Sequence, residues 1–181
     1  MEVLERPLPK PTTEDYIAAR LLEALVEARL ALDFLARGLV RNAAGKAFQA
    51  WRALLAALLR LEVDNLIKLA KTEEERKWLM ERAVPRIPTG RMKALSQMLE
   101  EIGHEGLSFV TSTALNLHAY QYNGPDPDMA MSKYRNREEA VVDVKLLMRE
   151  LVRRVEKLKA RVKWTNELEN ALMELKREVE S

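Results

Sequence analysis

The chain has 181 residues, of which 48% are hydrophobic and 32% are charged, enough for one domain with a substantial core. Cysteine is absent, which excludes disulfide bonds, thiolate metal sites and a thiol nucleophile. A formal net charge of +2 and a pI of about 8.8 do not in themselves require a nucleic-acid partner.

The first segment, residues 1–12, carries three prolines and is predicted to form an extended, polyproline-like arm. The N-terminal region lacks the apolar core of a signal peptide, and no apolar run reaches the ~18 residues of a membrane span. We therefore expect a cytoplasmic protein. Abundant charged residues, an excess of arginine over lysine and the lack of cysteine are compatible with a thermophilic source.

Two long helices are predicted next, because the chain shows helical periodicity and no alternating β-branched run. Thr12 or Thr13 is predicted to cap the first helix, which ends near Arg37. Asn42 is predicted to cap the second helix, which reaches about Ala70. Apolar residues cover more than half of the second helix, so it should lie at the centre of the fold, and the small residues at its start should let another helix approach closely.

A capping box, in which Thr72 is followed by Glu75, predicts the start of a short third helix that ends near Arg82. The sequence VPRIPTG then breaks the chain, since it contains two prolines and a glycine. A fourth helix is predicted for Arg91–Ile102, where Gly103 follows as a stop.

A second capping box is formed by Asn136 and Glu139 and begins a stretch that has neither glycine nor proline. This stretch forms either one long helix or two helices with a bend near residues 164–166, which would make residues 164–181 a separate terminal helix. Residues 13–181 as a whole are predicted to form a single all-α domain, an up-and-down bundle of five or six helices.

A fifth helix is predicted between the fourth helix and Asn136. It ends at Asn123-Gly124, and Pro125 prevents its continuation. Just before the stop lies the densest group of chemically capable side chains in the chain: Asn116, His118, Tyr120 and Tyr122. His118 is a candidate general base, general acid or ligand-binding imidazole. The alternative is a structural histidine bonded to a loop carbonyl, and His104 is assigned a role in capping or in a turn.

No metal or cofactor is predicted. Asp126 and Asp128 match no calcium-loop spacing and are common in Asp-Pro turns. The segment AAGKAF does not match a phosphate-binding loop, because Val40 stands where that loop needs its first glycine and Ala47 stands in place of Ser or Thr.

A basic stripe repeats every four residues near the C-terminus and consists of Lys145, Arg149, Arg153 and Lys157. Such a stripe can bind the phosphates of a nucleic acid. The alternatives are a solvated helix face, or pairing with the acidic C-terminal segment of a second copy of the chain.

The order of these parts resembles the HEPN superfamily of small helical domains and, more closely, the archaeal PaREP family of paralogous proteins. The resemblance covers about Thr13–Lys159 and rests on the long first helix and on the segments AAGKAFQAWRALLAALL, LNLHAYQYNG and NREEAVVDVKLLMREL. It implies an up-and-down, HEPN-like bundle that often forms a homodimer. Many HEPN proteins are metal-independent ribonucleases, in which an arginine precedes a histidine by a short spacer.

Carried onto this chain, the resemblance matches His118 to the catalytic histidine. The arginine is missing, because residues 111–113 are Thr, Ser and Thr. Arg135 or Arg137, beyond the loop, would have to replace it in space. Other HEPN proteins lack catalysis and bind a nucleotidyltransferase partner or a nucleotide-like ligand, and the missing arginine favours that group.

We therefore predict a non-catalytic binding or interaction domain, whose ligand or partner is RNA, a nucleotide or a nucleotidyltransferase. The predicted ligand site comprises Asn116, His118, Tyr122, Arg135 and Arg137. One alternative is a divergent ribonuclease that uses His118. Another is an RNA-binding protein that uses the basic stripe and does not cleave.

Overall fold

The computed structural model describes residues 2–181, and this part of the chain contains helices and no β-strand. The helices are α1 (Glu2–Glu5), α2 (Asp15–Ala36), α3 (Val40–Leu61), α4 (Val63–Leu69), α5 (Glu73–Trp78), α6 (Val84–Arg86), α7 (Met92–Glu101), α8 (Leu107–Asn123), α9 (Arg137–Leu158) and α10 (Asn166–Glu180). The predicted all-α class is confirmed. None of the helices in residues 2–181 has the length and apolarity needed to span a membrane.

Helix α3 lies at the centre of the fold, where it packs against α2, α8 and α9. Its side chains Phe48, Trp51 and Leu54 are almost completely buried, as its broad apolar surface predicts. Helices α2 and α3 form a helical hairpin, and Gly38 at the turn has a φ of +74°, which favours glycine. Helix α10 packs on α2, and α7 packs on α8.

The close approach of another helix to the start of α3 is confirmed, and the approaching helix is α8. A Cβ atom on Gly45 would lie 2.6 Å from the side-chain carbonyl carbon of Gln121. Ala43, Ala44 and Ala47 beside Gly45 are completely buried. The small residues of α3 therefore allow the two backbones to approach, and this brings the end of α8 against Phe48.

The N-terminal arm differs from the extended form predicted for residues 1–12. Residues 2–5 form one helical turn, α1, whereas Met1 lies outside the described residues. Val3 packs against the core, and the Arg6 guanidinium donates to the Glu167 carboxylate of α10 over 2.8 Å. The arm is therefore anchored to the bundle by an apolar contact and an ion pair, which local proline content does not predict.

Both predicted caps of the long N-terminal helices are wrong. The Thr13 hydroxyl donates to the Lys10 carbonyl over 2.8 Å instead of accepting from an amide of α2. Asn42 lies inside the first turn of α3, because the Leu39 carbonyl already accepts from the amide of Ala43 over 2.9 Å. The backbone geometry of the preceding turn therefore determines where each helix begins, and the nearby Thr and Asn side chains do not cap it.

The predicted second helix is interrupted at Glu62 and forms two helices, α3 and α4. Glu62 leaves helical geometry with φ −99° and ψ 10°, yet its side chain is only 4% exposed. A buried carboxylate needs hydrogen-bond donors, and the partners of Glu62 come from three separate parts of the chain. At this break Glu62 lies at the centre of a buried polar cluster, although the sequence placed it in the apolar stripe of one long helix.

Both capping boxes are confirmed. The Thr72 hydroxyl accepts from the Glu75 amide over 3.1 Å, and the side-chain oxygen Oδ1 of Asn136 accepts from the Glu139 amide over 3.0 Å. Helix α5 then continues past its predicted end through a π-helical turn, Leu79–Ala83, into α6. The chain breaks only after α6, where a left-handed residue precedes the second proline.

The C-terminal stretch forms two helices, which was one of the two predicted alternatives. Helix α9 ends at Leu158, a 3-10 turn follows at Lys159–Arg161, and α10 starts at Asn166. The Thr165 hydroxyl caps α10 by accepting from the Leu168 amide over 3.2 Å. The separation lets α10 fold back onto α2 instead of extending α9.

Candidate functional site

Helix α8 ends as predicted, with Gly124 at φ +67° directly after Asn123. The Arg41 guanidinium binds the last carbonyls of the helix and donates to the Gln121 carbonyl over 2.9 Å and to the carbonyl of Tyr122. A cation at this end complements both the free carbonyl groups and the helix dipole. The helix end that carries His118 is therefore fixed from α3.

His118 is held by aromatic packing and not by a loop carbonyl. Its ring stacks on Phe48 with centroids 4.0 Å apart, and Tyr122 contacts it edge-on at 5.3 Å. Nδ1 is buried without a hydrogen-bond partner among residues 2–181. Burial lowers the pKa of His118 below its ordinary value, and the positive charge of Arg52 lowers it further, so the ring is neutral near pH 7.

The other residues of the predicted ligand site do not converge on His118. Asn116 is half-buried on a different side of α8, and Tyr122 is 65% exposed. The Arg137 guanidinium donates to the Gly38 carbonyl over 3.1 Å, while the side chain of Arg135 is exposed. The structure thus brings His118 and Tyr122 together, and the cation whose charge reaches His118 is Arg52 of α3, which the sequence analysis did not consider.

The loop after α8 is a structural turn built on Asp126. Its carboxylate accepts from the amide of Met131 over 2.7 Å and from the amides of Asp128 and Ser132. These bonds, that from Met131 first, hold the pKa of Asp126 below its ordinary value. The loop therefore uses its acidic residue to fix its own backbone.

The first of the three positions where the arginine was sought, residue 111, is occupied by core packing. Thr111 is fully buried, and its hydroxyl accepts from the Trp51 indole nitrogen over 2.9 Å and bonds the Ser96 hydroxyl over 2.7 Å. Ser96 in turn donates to the carbonyl of Met92 over 2.8 Å. This chain of hydrogen bonds joins α3, α7 and α8 in the interior, so an arginine would not fit at residue 111.

The four residues of the basic stripe share the exposed face of α9 but have different surroundings. Arg153 is paired with the Glu150 carboxylate through two bonds of 2.9 and 2.6 Å. Lys145 and Arg149 line a hollow of about 620 Å³ that also contains acidic residues of α10. Lys157 has no ion-pair partner within residues 2–181 and faces a different hollow.

That second hollow, called here the basic hollow, has a volume of about 480 Å³ and lies between the α7–α8 turn and the end of α9. Its lining is mainly charged and comprises Leu58, Gly103, His104, Glu105, Arg153, Arg154, Lys157, Leu158 and Arg161. Four of these side chains are permanently cationic. Arg153 and Arg154 share the Glu150 carboxylate and Arg161 pairs with Glu62, so a net positive charge remains in the basic hollow, which suits an anionic ligand.

His104 lies in the basic hollow and is fixed by Glu62. Its Nε2 atom is 3.1 Å from a Glu62 carboxylate oxygen, and the Arg161 guanidinium binds the same oxygen. Asn65 donates to the other oxygen over 2.9 Å. Burial by itself raises the pKa of Glu62, but the bonds from Asn65, Arg161 and His104 outweigh it, so the net shift is downward and the carboxylate is ionised.

An ionised Glu62 fixes the tautomer of His104, because a carboxylate can only accept a hydrogen bond. The ring therefore carries a proton on Nε2, and Nδ1 bonds no residue in the range 2–181. The His104 amide also closes the turn by donating to the carbonyl of Leu99 over 3.1 Å. The predicted role of His104 in a turn is thus filled by its backbone amide, while its side chain is part of the polar cluster around Glu62.

The arginine that borders the hollow most deeply is Arg154, only 9% exposed. Its guanidinium donates to the Glu150 carboxylate over 2.6 Å and to the Glu105 carbonyl over 2.8 Å. It also lies over the Trp51 ring at 6.0 Å. The Arg154 guanidinium is thus held in one orientation by the protein itself, before any ligand binds.

This cluster was not predicted from the sequence, although one signal for it was present. Glu62 is an acidic residue within the apolar stripe of the predicted second helix, and Arg154 interrupts the apolar stripe of α9 in the same way. Charged residues at core positions are rarely buried unless they are paired. Nothing in the sequence indicates, however, that the partner of Glu62 is His104. Among the described residues, no three His, Asp or Glu side chains are close enough to hold a metal ion.

Comparison with known proteins adds one finding. A model of a protein family, described as the archaeal PaREP1/PaREP8 family, matches residues 19–145, which is more than half of the chain. The matched region includes Glu62 and His104 and ends before the cationic residues of the basic hollow on α9. No curated protein and no solved structure matches the chain.

Proposed function

We propose that this chain, which belongs to the archaeal PaREP1/PaREP8 family, is a non-catalytic binding domain that holds phosphate groups of RNA in the basic hollow. The observation that carries the proposal is that Arg153, Arg154, Lys157 and Arg161 line one hollow together with His104. Arginine guanidinium groups and lysine ammonium groups are the usual phosphate-binding groups of proteins.

The fixed geometry of these groups supports the proposal. Arg154 is held by Glu150 and Glu105, and Arg161 is held by Glu62, so little side-chain freedom is lost when an anion binds. Lys157 is exposed and without an ion pair among residues 2–181, so its charge is available.

A polymeric ligand is favoured because the hollow lies at the end of the basic stripe. Arg149, Arg153 and Lys157 follow one another along the exposed face of α9, about 6 Å apart along the axis. A strand that places one phosphate in the basic hollow can pass further phosphates along this face. RNA is therefore preferred over a single nucleotide.

The test is binding of a short single-stranded RNA, measured by fluorescence anisotropy over a range of salt concentrations. Lys157→Gln should weaken binding and reduce the salt slope by about one unit, since one phosphate contact is lost. Lys77→Gln is the matched control, because Lys77 is also exposed and lies on α5, away from the basic hollow. Wild-type protein that does not bind, or equal losses in both variants, would overturn the proposal.

We propose RNA cleavage without a metal as a second candidate, because Glu62 binds His104 through Nε2 and leaves Nδ1 without a partner among residues 2–181, in a side chain that lines the same hollow. In this reaction Nδ1 accepts the proton of a ribose 2′-hydroxyl, the oxygen attacks the adjacent phosphorus, and the 5′-oxygen leaves with a proton from water. Arg161 and Lys157 would balance the charge on the phosphate. Cleavage by the wild type that is lost in His104→Gln, with binding retained, would replace the non-catalytic proposal.

The ribonuclease that uses His118 stays a prediction with its own test. The arginine that acts on His118 is Arg52, whose guanidinium is already bound to the carbonyls of Arg86 and Ile87. Cleavage that survives in His104→Gln but is lost in His118→Ala would assign the reaction to His118. Loss in neither variant would point to a contaminating nuclease.

We further propose that the domain is HEPN-like, cytoplasmic, of thermophilic origin, and a homodimer with a nucleotidyltransferase as one further partner. The dimer is supported by exposed apolar side chains on adjoining helices: Phe109 is 78% exposed on α8, and Val142 and Leu146 are more than half exposed on α9. Light scattering should give twice the 20.8 kDa mass of the chain, and Leu146→Glu should return it to the monomer.

A further inference from the structure

A second positively charged hollow, called here the arginine hollow, lies between α2, α3 and α6 and shares no residue with the basic hollow. Its volume is about 340 Å³, and it is lined by Arg20, Glu23, Gln49, Arg52, Ala53, Pro85 and Arg86. Three arginines and one carboxylate give the lining a formal charge of +2. The proposal made above for RNA does not use it.

Arg20 is the structural member of the group. Its side chain is 12% exposed, and each of its three nitrogens is bonded: to the Tyr16 hydroxyl over 2.9 Å, to Glu23 over 2.7 Å and to the Pro85 carbonyl over 3.1 Å. Glu23 is the one carboxylate of the lining, and it already forms an ion pair with Arg20. The charge of Arg20 is therefore matched within the fold.

Arg52 is the unmatched member. Its guanidinium donates to the Ile87 carbonyl over 3.2 Å and to the Arg86 carbonyl over 2.5 Å, and no carboxylate within residues 2–181 pairs with it. Burial lowers the pKa of Arg52, and the neighbouring charge of Arg20 lowers it further. These carbonyl bonds explain how Arg52 supports the turn at Ile87, which has a φ of +42°, but they leave its charge uncompensated.

Free hydrogen-bond donors face the same space. Arg52 Nη1 has no protein partner and is not enclosed, since the bonds named above use only its Nε and Nη2. The Gln49 amide and the Arg86 guanidinium likewise bond no residue among those described, and all three side chains line the hollow. A partly buried, unpaired cation surrounded by unused donors is the arrangement that an anion completes.

We propose that the arginine hollow binds a phosphate group, either as inorganic phosphate or as the terminal group of a small phosphorylated ligand. The phosphate oxygens accept from Arg52 Nη1, the Gln49 amide and the Arg86 guanidinium. The volume is at the lower end of the range for small-molecule sites, about 300–1,000 Å³, which suits a phosphate with a small substituent and not a polymer. Glu23 limits the bound charge by repelling an anion that approaches Arg20.

The experiment is titration calorimetry of the full chain with inorganic phosphate and with adenosine monophosphate, at constant ionic strength set by chloride. We expect saturable binding of one phosphate per chain. Arg86→Gln should weaken it roughly tenfold, because one charge-assisted bond is lost. Arg82→Gln is the matched control, since Arg82 is also exposed and one turn away, but lies outside the lining.

Gln49→Glu provides the sharper variant, because it places a carboxylate beside Arg52 without removing any core group. It should abolish phosphate binding while the thermal unfolding temperature stays equal to or above that of the wild type. Stronger binding of adenosine monophosphate than of phosphate would assign the site to a nucleotide, and equal binding would assign it to the free ion. Absence of saturable binding in the wild type, or undiminished binding in Gln49→Glu, would overturn the proposal.

Lys157→Gln separates this proposal from the one made for RNA. The variant changes the basic hollow alone, so it should leave phosphate binding at the arginine hollow unchanged while it weakens RNA binding. If Lys157→Gln abolishes phosphate binding and Arg86→Gln does not, the phosphate site lies in the basic hollow, and the inference drawn here is wrong.

Discussion

Glu62 and His104 are 42 residues apart in the sequence, and their side chains meet at 3.1 Å. Arg161, a further part of the chain, binds the same carboxylate oxygen. The buried carboxylate thus ties the α3–α4 break, the α7–α8 turn and the end of α9 together. Glu62 therefore stabilises the fold and also fixes the tautomer of His104 in the basic hollow, and these two effects can be measured separately.

The structural effect of Glu62 should appear in Glu62→Gln, measured by urea unfolding. We expect the free energy of unfolding to fall by about 2 kcal/mol, because hydrogen bonds to a buried charged group are lost or weakened. Glu73→Gln is the control, since Glu73 is 86% exposed in its pair with Arg76 and should change stability by less than about 0.5 kcal/mol. Equal effects in the two variants would show that the polar cluster does not stabilise the fold.

The buried hydrogen-bond chain through Thr111 should be sensitive to loss of one hydroxyl. Thr111→Val leaves the Trp51 indole N–H without its acceptor and keeps the volume, so we expect a loss of about 1–3 kcal/mol in unfolding free energy. Thr111→Ser keeps the hydroxyl and should lose less. If Thr111→Ser is the less stable of the two, methyl packing and not hydrogen bonding dominates at this position.

His118 should make the protein less stable as the pH falls below about 6.5, the ordinary pKa of histidine. Its folded pKa lies below the ordinary value of 6.5, so the unfolded chain takes up the proton first as the pH falls. The contribution of His118 is thus fully present above pH 6.5 and is lost as the pH falls towards the folded pKa. The difference in unfolding free energy between pH 7.5 and 5.5 should be smaller in His118→Gln than in the wild type, and an equal difference in both would contradict the assignment.

The cap of α9 should contribute a local and separable amount. Asn136→Ala removes the acceptor for the Glu139 amide and should lower the unfolding free energy by about 1 kcal/mol. Asn136→Asp keeps an acceptor and should restore it. A chemically similar control is Asn170→Ala on α10, an exposed site within a helix, where alanine should not destabilise. Loss of stability in Asn136→Asp equal to that in Asn136→Ala would mean that the capping bond is not what stabilises the helix start.

The sequence predicted the features whose causes are local. Helical periodicity gave the all-α class, and the capping residues Thr72 and Asn136 fixed their helix starts, because each acts on an amide three residues away. The stop at Gly124 was likewise predicted from a residue that adopts a positive φ without strain. The centrality of α3 followed from its apolar surface, since burial is the only stable arrangement for such a helix.

Local signals failed where another contact, either in the neighbouring turn or further along the chain, competed with them. Thr13 and Asn42 are good caps by residue type, but the turns that precede α2 and α3 place them elsewhere. Arg137 of the predicted ligand site is likewise bound elsewhere, since its guanidinium donates to the Gly38 carbonyl at the α2–α3 turn. A side chain binds the partner that the fold places within contact distance, and the neighbouring sequence does not predict which residue that is.

The sequence by itself thus determined the all-α class, the starts of α5 and α9 and the end of α8, because these depend on residues within a few positions of one another. It also carried the family resemblance. Only the tertiary structure decided which charged residues share a hollow: Arg161 and Glu62 are 99 residues apart, and Arg52 and Ile87 are 35. The physical reason is that a buried charge is stable only beside its partner, and packing of distant helices chooses that partner. The two hollows therefore arise from the arrangement of α3 against its neighbours and from no motif in the chain.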